Sequence, residues 1–342
     1  MRTASFVVGL VTLAGAPAAH AQAAYDSPAG RVVVLGLQRW SVLQLERAIQ
    51  KERPGLALND GACVAVLRHR LGFPDASVVF TSIVDFDGSE RRYVVIKVVE
   101  PEDSARVRWR AAPGNEFGSL RPDYAPVVLP VTDSAGGFWT TRLSGPVQFY
   151  PRGVIARAEA LEANPPMRAD AERIWAWLET RTSERDRRMA LEALADDGVY
   201  ANRVVAAMVL ANFPEHDATW HALAEALRDP HEHVRSMAQI VLANLPEGRR
   251  VDWTPALSTL RLLVGGTNVH ATETVLLALA RTQVDPSHRA RLLRDNAAWV
   301  RAHLRAEEPG ASRSAHAFLR QINGGRDLGP TPSAWEGFLA GR

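Results

Sequence analysis

In the C-terminal half of the chain, apolar residues recur at steps of three and four, which is the spacing of an amphipathic helix. The clearest example lies between Asp229 and Pro246. Its apolar positions are Val234, Met237, Ala238, Val241, Leu242 and Leu245. They form a stripe that is wider than one partner helix would cover. We therefore expect this helix to pack against its own partner and against neighbouring helices.

Matching phrases predict that this helix belongs to a repeat. "MVLANFP" ends at Pro214 and "IVLANLP" ends at Pro246, and the phrases "LEALADDG" and "LAEALRDP" precede them. Each unit is predicted to contain a helix, a short turn of Asp, Gly or Pro, a second helix and a loop. A third unit contains "LSTLRLLVGG" and "HATETVLLALART", and a more divergent fourth contains "LLRDNAAWVRAHL" and "SRSAHAFLRQING". We interpret the helix predicted in "AERIWAWLETRTS" as part of an earlier, incomplete pair.

The phrase "ALRDPHEHVRSMAQIVLANL" resembles a HEAT-type repeat of the bacterial PBS-lyase-like group. The positions that match are Asp229, Pro230, Val234, Arg235 and Ala238. The first unit keeps Asp196 and Arg203 but has Asp197-Gly198 in place of Asp-Pro, and the third has Gly265-Gly266 and lacks the arginine. The resemblance covers about Ala171 to Asn323 and implies HEAT-like helical repeats with a role in protein binding. We place the repeat domain over 153–323. It does not imply lyase activity.

A different pattern covers residues 31–100. "RVVVLGL" predicts a strand, and "SVLQLERAIQ" predicts a helix whose Ser41 and Gln44 form a capping box. "NDGACVAVLRHRLG" predicts a second helix that ends at Gly72. "SVVFTSIVDF" and "RRYVVIKVVE" predict two strands joined by a hairpin at Asp87-Gly88. The predicted order is therefore β-α-α-β-β.

This order, together with "LRHRLGFPDASV", resembles a POTRA-type domain. Leu71, Gly72, Phe73 and the stretch Asp75–Val78 match the family's helix ending, turn and strand entry. The resemblance implies an interaction module that binds partners by adding a strand at the sheet edge. Family members often precede an outer-membrane barrel, whereas helical repeats follow here. The predicted fold class is an α+β N-terminal domain followed by an all-α HEAT-like helical-repeat solenoid.

Two further segments complete the predicted organisation. Residues 101–152 contain the short runs "RVRWR", "PVVLPV", "FWTTRL" and "PVQFY", from which we expect a β-rich connecting region of two to four strands. Residues 324–342 are expected to be a loose tail with a short docking helix that carries Trp335, Phe338 and Leu339.

The N-terminus is typical of a targeting segment. Arg2 precedes a short apolar stretch, and Ala19-His20-Ala21 fits the cleavage pattern of a signal peptide. We therefore expect residues 1–21 to be removed and the mature chain to be exported, either periplasmic or secreted. No later stretch is long and apolar enough to predict a transmembrane segment in the mature chain.

Composition narrows the possible functions. The chain has 342 residues, of which 46% are hydrophobic, so a disordered chain is excluded. Its formal net charge is only +2, which predicts no strong attraction to nucleic acid. The one cysteine, Cys63, cannot form an internal disulfide and is expected to be a buried thiol.

One stretch resembles a catalytic motif. His231-Glu232-His233-Val234-Arg235 comes close to the zinc-protease pattern H-E-x-x-H, but the required second histidine is replaced by Arg235, which cannot bind zinc. We interpret it as the solvated start of a helix. Asp85-Phe86-Asp87-Gly88 contains part of a calcium loop but is interpreted as the hairpin turn. We predict no catalytic residue, metal or cofactor.

The function predicted from these features is an exported, non-enzymatic protein-protein interaction scaffold. The candidate partner-binding residues are His231, His233, Arg235 and Arg203. Arg203 and Arg235 could instead link adjacent repeats. An alternative is a metal-dependent or hydrolytic envelope enzyme whose site includes His231, His233 and Asp229. A third hypothesis is an envelope tether that contacts a membrane surface through arginines.

Overall fold

The computed structural model describes residues 22–84, 89–114, 118–131, 140–150, 154–246 and 248–341. The predicted signal peptide lies outside the described residues, as does the Asp85–Gly88 segment that carries the predicted turn and the partial calcium loop. An N-terminal four-stranded mixed sheet is followed by many helices, which confirms the α+β and then helical order.

The sheet contains four strands in the order β1-β2-β4-β3. Their bounds are β1 Gln22–Ser27, β2 Gly30–Leu35, β3 Asp75–Val84 and β4 Glu90–Val99. β2 and β4 are parallel, whereas β1 pairs with β2 and β3 pairs with β4 in antiparallel register. The predicted β-α-α-β-β order is confirmed, and β1 is an additional edge strand that the pattern did not predict.

Both faces of the sheet are covered. The helices α1 Val42–Glu52 and α2 Cys63–His69 pack on one face, and Ser41 forms the predicted capping box with Gln44 at the start of α1. The opposite face packs against Ala306 and Ala311 of the helical part. Strands buried on two faces need apolar residues at successive positions, which explains the continuous valine runs of β2 and β4.

The helices that follow are α3 Ala125–Val128, α4 Thr140–Val147, α5 Val154–Ala163, α6 Arg168–Glu179, α7 Glu184–Asp196, α8 Tyr200–Leu210, α9 Asp217–Ala226, α10 Glu232–Asn244, α11 Leu257–Val264, α12 Thr272–Arg281, α13 Arg289–Leu293, α14 Ala297–Leu304, α15 Pro309–Ile322 and α16 Glu336–Leu339. We call α7–α8, α9–α10 and α11–α12 the first, second and third helix pairs. The fourth consists of α13 and α14 with α15. The first helices α7, α9, α11 and α13 contact one another in series, as do the second helices α8, α10, α12 and α15.

The prediction of strands between 101 and 152 is wrong for the part of this segment that the structure describes. It contains 3₁₀ turns at Pro101–Arg106 and Leu129–Val131, together with α3 and α4. The valine-rich run that predicted a strand is buried against α6 and α8 in compact helical turns. Periodicity alone does not distinguish a short buried strand from a short buried helix, so tertiary packing decided the conformation.

The last residue of the first 3₁₀ turn, Arg106, and the four residues that follow it form a connecting segment, 106–110, which we call the strap. It crosses the C-terminal ends of α11, α9 and α7 in that order. Arg106 Nε donates to the carbonyl of Gly265 at 3.0 Å. The backbone N–H of Arg110 donates to the carbonyl of Arg228 at 2.7 Å. Arg110 Nη2 donates to the carbonyl of Leu194 at 2.7 Å. The last carbonyls of a helix lack partners within it and carry partial negative charge, so the strap satisfies them.

The C-terminal segment docks as predicted. A 3₁₀ turn at Pro332–Trp335 leads into α16, and Trp335, Phe338 and Leu339 are buried in the helical core.

Among the described residues, no single helix is long and apolar enough to cross a membrane. The helices Thr254–Val264 and Val269–Arg281 meet that test only when taken together, and they are bent by 106°.

Candidate functional site

Arg203 lies in the first turn of α8 and is fully buried. Its Nε and Nη2 donate to the two carboxylate oxygens of Asp229, each at 2.9 Å. Its Nη1 donates to the carbonyls of Asp197 and Gly198 at 2.8 and 2.9 Å. Arg203 therefore links the first helix pair to the second, and it is not exposed on a partner-binding rim. Of the two interpretations offered for this residue, the structural link is the one observed.

Arg235 occupies the same position in α10 that Arg203 occupies in α8, since each is the fourth residue of its helix. Its Nη1 donates to the carbonyls of Asp229 and Pro230 at 2.7 and 2.9 Å, which repeats the pattern of Arg203. Its guanidinium also lies 4.2 Å from the ring centroid of Trp109, a strap residue. Burial lowers the pKa of Arg235, although the nearby Asp75 acts in the opposite direction.

The two arginines differ at the other edge of the guanidinium. Within the described parts of the chain, no group accepts a hydrogen bond from Nε or Nη2 of Arg235, and no carboxylate forms an ion pair with it. Arg235 Nε and Nη2 are not among the fully buried polar atoms that lack a hydrogen-bond partner. Because they also have no partner, both nitrogens must be accessible to solvent. The cause lies in the third helix pair, whose turn contains Gly265, Gly266 and Thr267 where the second has Asp229.

The sheet supplies a carboxylate to this third turn. In the first two pairs, Asp197 accepts from the N–H of Val199 at 2.9 Å, and Asp229 accepts from that of His231 at 2.8 Å. In the third, Asp75 at the start of β3 accepts from the N–H of Val269 at 2.8 Å. Burial raises the pKa of Asp75 despite this hydrogen bond and the nearby arginines. The sheet is thereby joined to the helix pairs through a buried polar contact.

A second polar contact joins the sheet to the third and fourth helix pairs. Lys97 of β4 forms a hydrogen-bonded ion pair with Glu273 of α12. His303 of α14 lies 3.6 Å from the same carboxylate. Burial would raise the pKa of Glu273, but Lys97 and His303 outweigh it and lower that pKa. The ionised carboxylate is therefore favoured, which maintains the ion pair across the interface.

Between these contacts the sheet and the second helix pair leave an open groove. It consists of two adjoining cavities of about 630 and 390 Å³ that share four lining residues. These shared residues are Arg68, Glu232, His233 and Arg235. One wall comes from α2 and the start of β3, and the other from α10 and the turn before it. The solvent-accessible edge of Arg235 therefore lies where the two cavities meet.

The two predicted histidines line this groove. The ring of His231 stacks on Tyr200 at 3.7 Å, and its Nδ1 accepts a hydrogen bond from the N–H of His233 at 3.3 Å. His231 thus caps α10 and is held with Nδ1 unprotonated. Burial lowers the pKa of His233, which Glu232 partly opposes. The structure brings His231, His233 and Arg235 together and leaves Arg203 apart from them.

His270 lies opposite, at the third helix pair. Its side chain is open to solvent in the groove but has protein on most sides. Burial, followed by the charge of Lys97, lowers its pKa to about 4. The imidazole is consequently neutral near pH 7 and can donate or accept a hydrogen bond there.

Arg68, Asp75 and Trp109 also belong to this site, although no sequence pattern predicted a role for them. Arg68 Nη2 donates to Asp75 at 3.2 Å, and the same guanidinium lies 3.9 Å from Glu232 across the groove. The phrase "LRHRLGFPDASV" contains both Arg68 and Asp75, but nothing in it indicates that Asp75 reaches Val269. Only the absence of an aspartate from the third turn indicated that its partner had to come from elsewhere.

The near match to a zinc motif at His231–Arg235 lies at the start of α10. In the ranges that the structure describes, no group of three or more His, Cys, Asp or Glu side chains is placed to hold a metal ion. Asp75 and Asp229 hold backbone N–H groups, and His231 caps a helix. The arrangement can bind hydrogen-bond acceptors and carboxylates.

A scan against models of known protein families, a search of curated proteins and a search of solved structures each found no match to this chain.

Proposed function

We propose that the protein is an exported, non-enzymatic scaffold that binds a protein partner in the groove between its sheet and its second helix pair. The observation that carries the proposal is the solvent-accessible edge of Arg235 in that groove. The helix pairs are proposed to form a HEAT-like solenoid, which the serial contacts of the first and second helices support. The sheet is proposed to be POTRA-like, as the order of its elements supports.

The turns between the paired helices form a surface, and the chain itself covers much of it. The groove is the part of this surface that we favour as the binding site. The strap occupies the C-terminal ends of α11, α9 and α7. The sheet covers the turn of the third pair, where Asp75 binds the N–H of Val269. It also covers part of the fourth pair, where it packs against Ala306. Between them, Arg68 and Arg235 remain at the open face of a polar groove. A partner segment would therefore meet two fixed walls.

Three ionisable groups at or beside the groove already accept hydrogen bonds from backbone N–H groups, which favours a binding role for them over general-base catalysis. A general base needs an oxygen or nitrogen lone pair within reach of a substrate. Asp75 and Asp229 use theirs on backbone N–H groups, and His231 uses Nδ1 on His233. Export is proposed from the signal-peptide pattern of residues 1–21, with cleavage after Ala21.

The proposal is tested by placing a photo-reactive amino acid in the protein in living cells. His69 and Ser236 lie on opposite walls of the groove, and the exposed Arg294 in the fourth helix pair serves as the control. We expect irradiation to give one adduct of the same mass from both groove positions and none from the control. Adducts from the control alone, or none from either groove position, would contradict a partner in the groove.

A further inference from the structure

We infer that the groove binds an acidic segment of the partner, with an aspartate or glutamate side chain held by the Nε and Nη2 edge of Arg235. This inference rests on the proposed function and names the chemistry of the partner. It follows from a comparison within the molecule. Arg203 and Arg235 have the same helix position and the same two carbonyl contacts through Nη1.

In Arg203, the Nε and Nη2 edge grips the carboxylate of Asp229 with two hydrogen bonds of 2.9 Å. A planar guanidinium presents two parallel N–H donors on such an edge, and a carboxylate fits them in a single geometry. The equivalent edge of Arg235 has no acceptor among the residues that the structure describes. The fold therefore builds the same carboxylate-binding edge twice and fills it once.

Arg235 is also fixed in place before any ligand binds. Two carbonyls hold Nη1, and the ring of Trp109 lies against the guanidinium face at 4.2 Å. Little side-chain entropy remains to be lost on binding, which favours affinity. The side chain is more than nine-tenths buried, yet the unused edge is reached by solvent. A buried cation with an open edge gains more from a carboxylate than an exposed one does.

The carboxylates already near the groove do not fill this edge. Asp75 accepts from Val269, Ala76 and Arg68, and it influences Arg235 only through its charge. Glu232 is an exposed side chain that lies 3.9 Å from Arg68. Both acids are thus directed at Arg68. Among the residues that the structure describes, no carboxylate contacts the guanidinium of Arg235.

The shape of the groove favours a peptide segment over a free carboxylate. Its lining extends along one wall from Pro230 to Gln239. At 1.5 Å per helical residue this wall is about 14 Å long, which matches roughly four residues of extended chain. A small carboxylate would occupy only one end of it. Backbone and side-chain acceptors along the wall, such as Ser236 and Gln239, can hydrogen-bond to the rest of a segment.

The inference is tested with an array of random hexapeptides probed with the purified protein. Binding peptides should be enriched in Asp or Glu at one position. In Arg235→Lys the charge remains but the two-donor edge is lost, so affinity for the enriched peptides should fall about tenfold or more. Arg294→Lys, at an exposed site, should bind as the wild type does. Thermal unfolding of each variant shows whether it is folded.

A second variant avoids the structural role of Arg235. Gln239→Glu places a carboxylate one helical turn after Arg235, on the same face of α10, where it can compete for the open edge. It also removes the two long hydrogen bonds that Gln239 Nε2 donates to the His270 carbonyl and Thr274 Oγ1, at 3.3 and 3.4 Å. It should weaken binding of the acidic peptides several-fold, whereas Gln321→Glu in the fourth helix pair, which changes the net charge equally, should not. Both substitutions are isosteric. Addition of free succinate should compete only weakly with the peptides.

The outcomes separate the inference from the proposed function. Binding peptides without acidic enrichment, or enrichment that persists in Arg235→Lys, would overturn the acidic segment, and adducts from His69 and Ser236 would still support a partner in the groove. Full displacement by succinate would overturn a peptide in favour of a small carboxylate. Absence of both binding peptides and adducts would overturn the inference and the proposed function together.

Discussion

Arg203 and Asp229 form a buried ion pair with two hydrogen bonds, which links the first helix pair to the second. Asp229 also accepts from Arg110 of the strap and from the N–H of His231. One carboxylate therefore fixes two helix pairs, the strap and the start of α10. Neither partner is solvated, so loss of either one would leave an uncompensated charge in the interior.

Asp229→Ala should lower the free energy of unfolding by about 3–5 kcal/mol, because it leaves Arg203 buried without its acceptor. Urea denaturation measures the change. Asp295→Ala is the matched control, since Asp295 pairs with Arg261 and both side chains are about half exposed. Its effect should be no more than about 1 kcal/mol. Equal effects from the two substitutions would contradict a structural role for Asp229.

Asp75 should make stability depend on pH in a direction unusual for an acid. Burial raises the pKa of Asp75 above its ordinary 3.8, so the folded state holds the proton more tightly than the unfolded state does. The resulting stabilisation is fully present below the unfolded pKa and is lost as pH rises through the folded pKa. Asp75→Asn should remove this part of the pH dependence, as measured by urea denaturation across pH.

The retained amide oxygen of Asp75→Asn can still accept from the N–H of Val269. Asp75→Ala cannot, so it should destabilise the protein more than Asp75→Asn does at every pH, by about 1–3 kcal/mol for the unsatisfied N–H. Identical unfolding curves for the two variants would show that this hydrogen bond does not hold the sheet to the third helix pair.

His270 should contribute to acid sensitivity. Burial, together with Lys97, lowers its pKa from 6.5 to about 4. Its neutral form is therefore favoured by folding, and that contribution is lost as pH falls from about 6.5 towards 4. His270→Gln should flatten the pH dependence of stability in this range. A resonance assigned to His270, by its loss in His270→Gln, that titrates near 6.5 in the folded protein would contradict this prediction.

Cys63 should be chemically inert in the folded protein. Its Sγ is fully buried and donates to the carbonyl of Leu58 at 3.0 Å, and burial raises the pKa of the thiol to about 12. Since the thiolate is the reactive species, iodoacetamide should modify Cys63 only after denaturation. Mass spectrometry measures the labelling. Stoichiometric labelling of Cys63 in the native protein would contradict its placement in the core.

Much of the fold could be read from the sequence because local signals agreed with one another. The apolar stripe of α10 is buried at every predicted position from Val234 to Leu245. The capping box at Ser41 and the hairpin pairing of β3 with β4 also matched. In each case the elements are specified by residues near one another in the chain, which is the information that periodicity and caps contain.

The connecting segment could not be read in this way. Val127 and Val128 favour strands by propensity, but the burial of α3 against α6 and α8 decides their conformation. The strap contains too few apolar positions for a pattern, and its arginines find partners far away in sequence. Arg110, for example, meets Asp229 and the carbonyl of Leu194.

The candidate site was predicted in part. The phrases around Arg203 and Arg235 indicated equivalent helix positions, and three of the four predicted residues line the groove. Whether each arginine binds a carboxylate depends on which residue lies in the turn of the following helix pair. For Arg203 that residue is Asp229. The groove depends on how the sheet docks on the helix pairs. One of the docking contacts, Asp75 with Val269, joins residues 194 positions apart, which no local pattern specifies.

The central claim is that Arg235 has an open carboxylate-binding edge where Arg203 has a filled one. The most direct test is the solvent exchange rate of the two Nε–H groups, measured by NMR on the free protein and with an acidic peptide selected from the array. Exchange should be slow for Arg203 in both samples, fast for Arg235 in the free protein, and slowed at Arg235 by the peptide. Equal protection of Arg203 and Arg235 in the free protein would contradict the account.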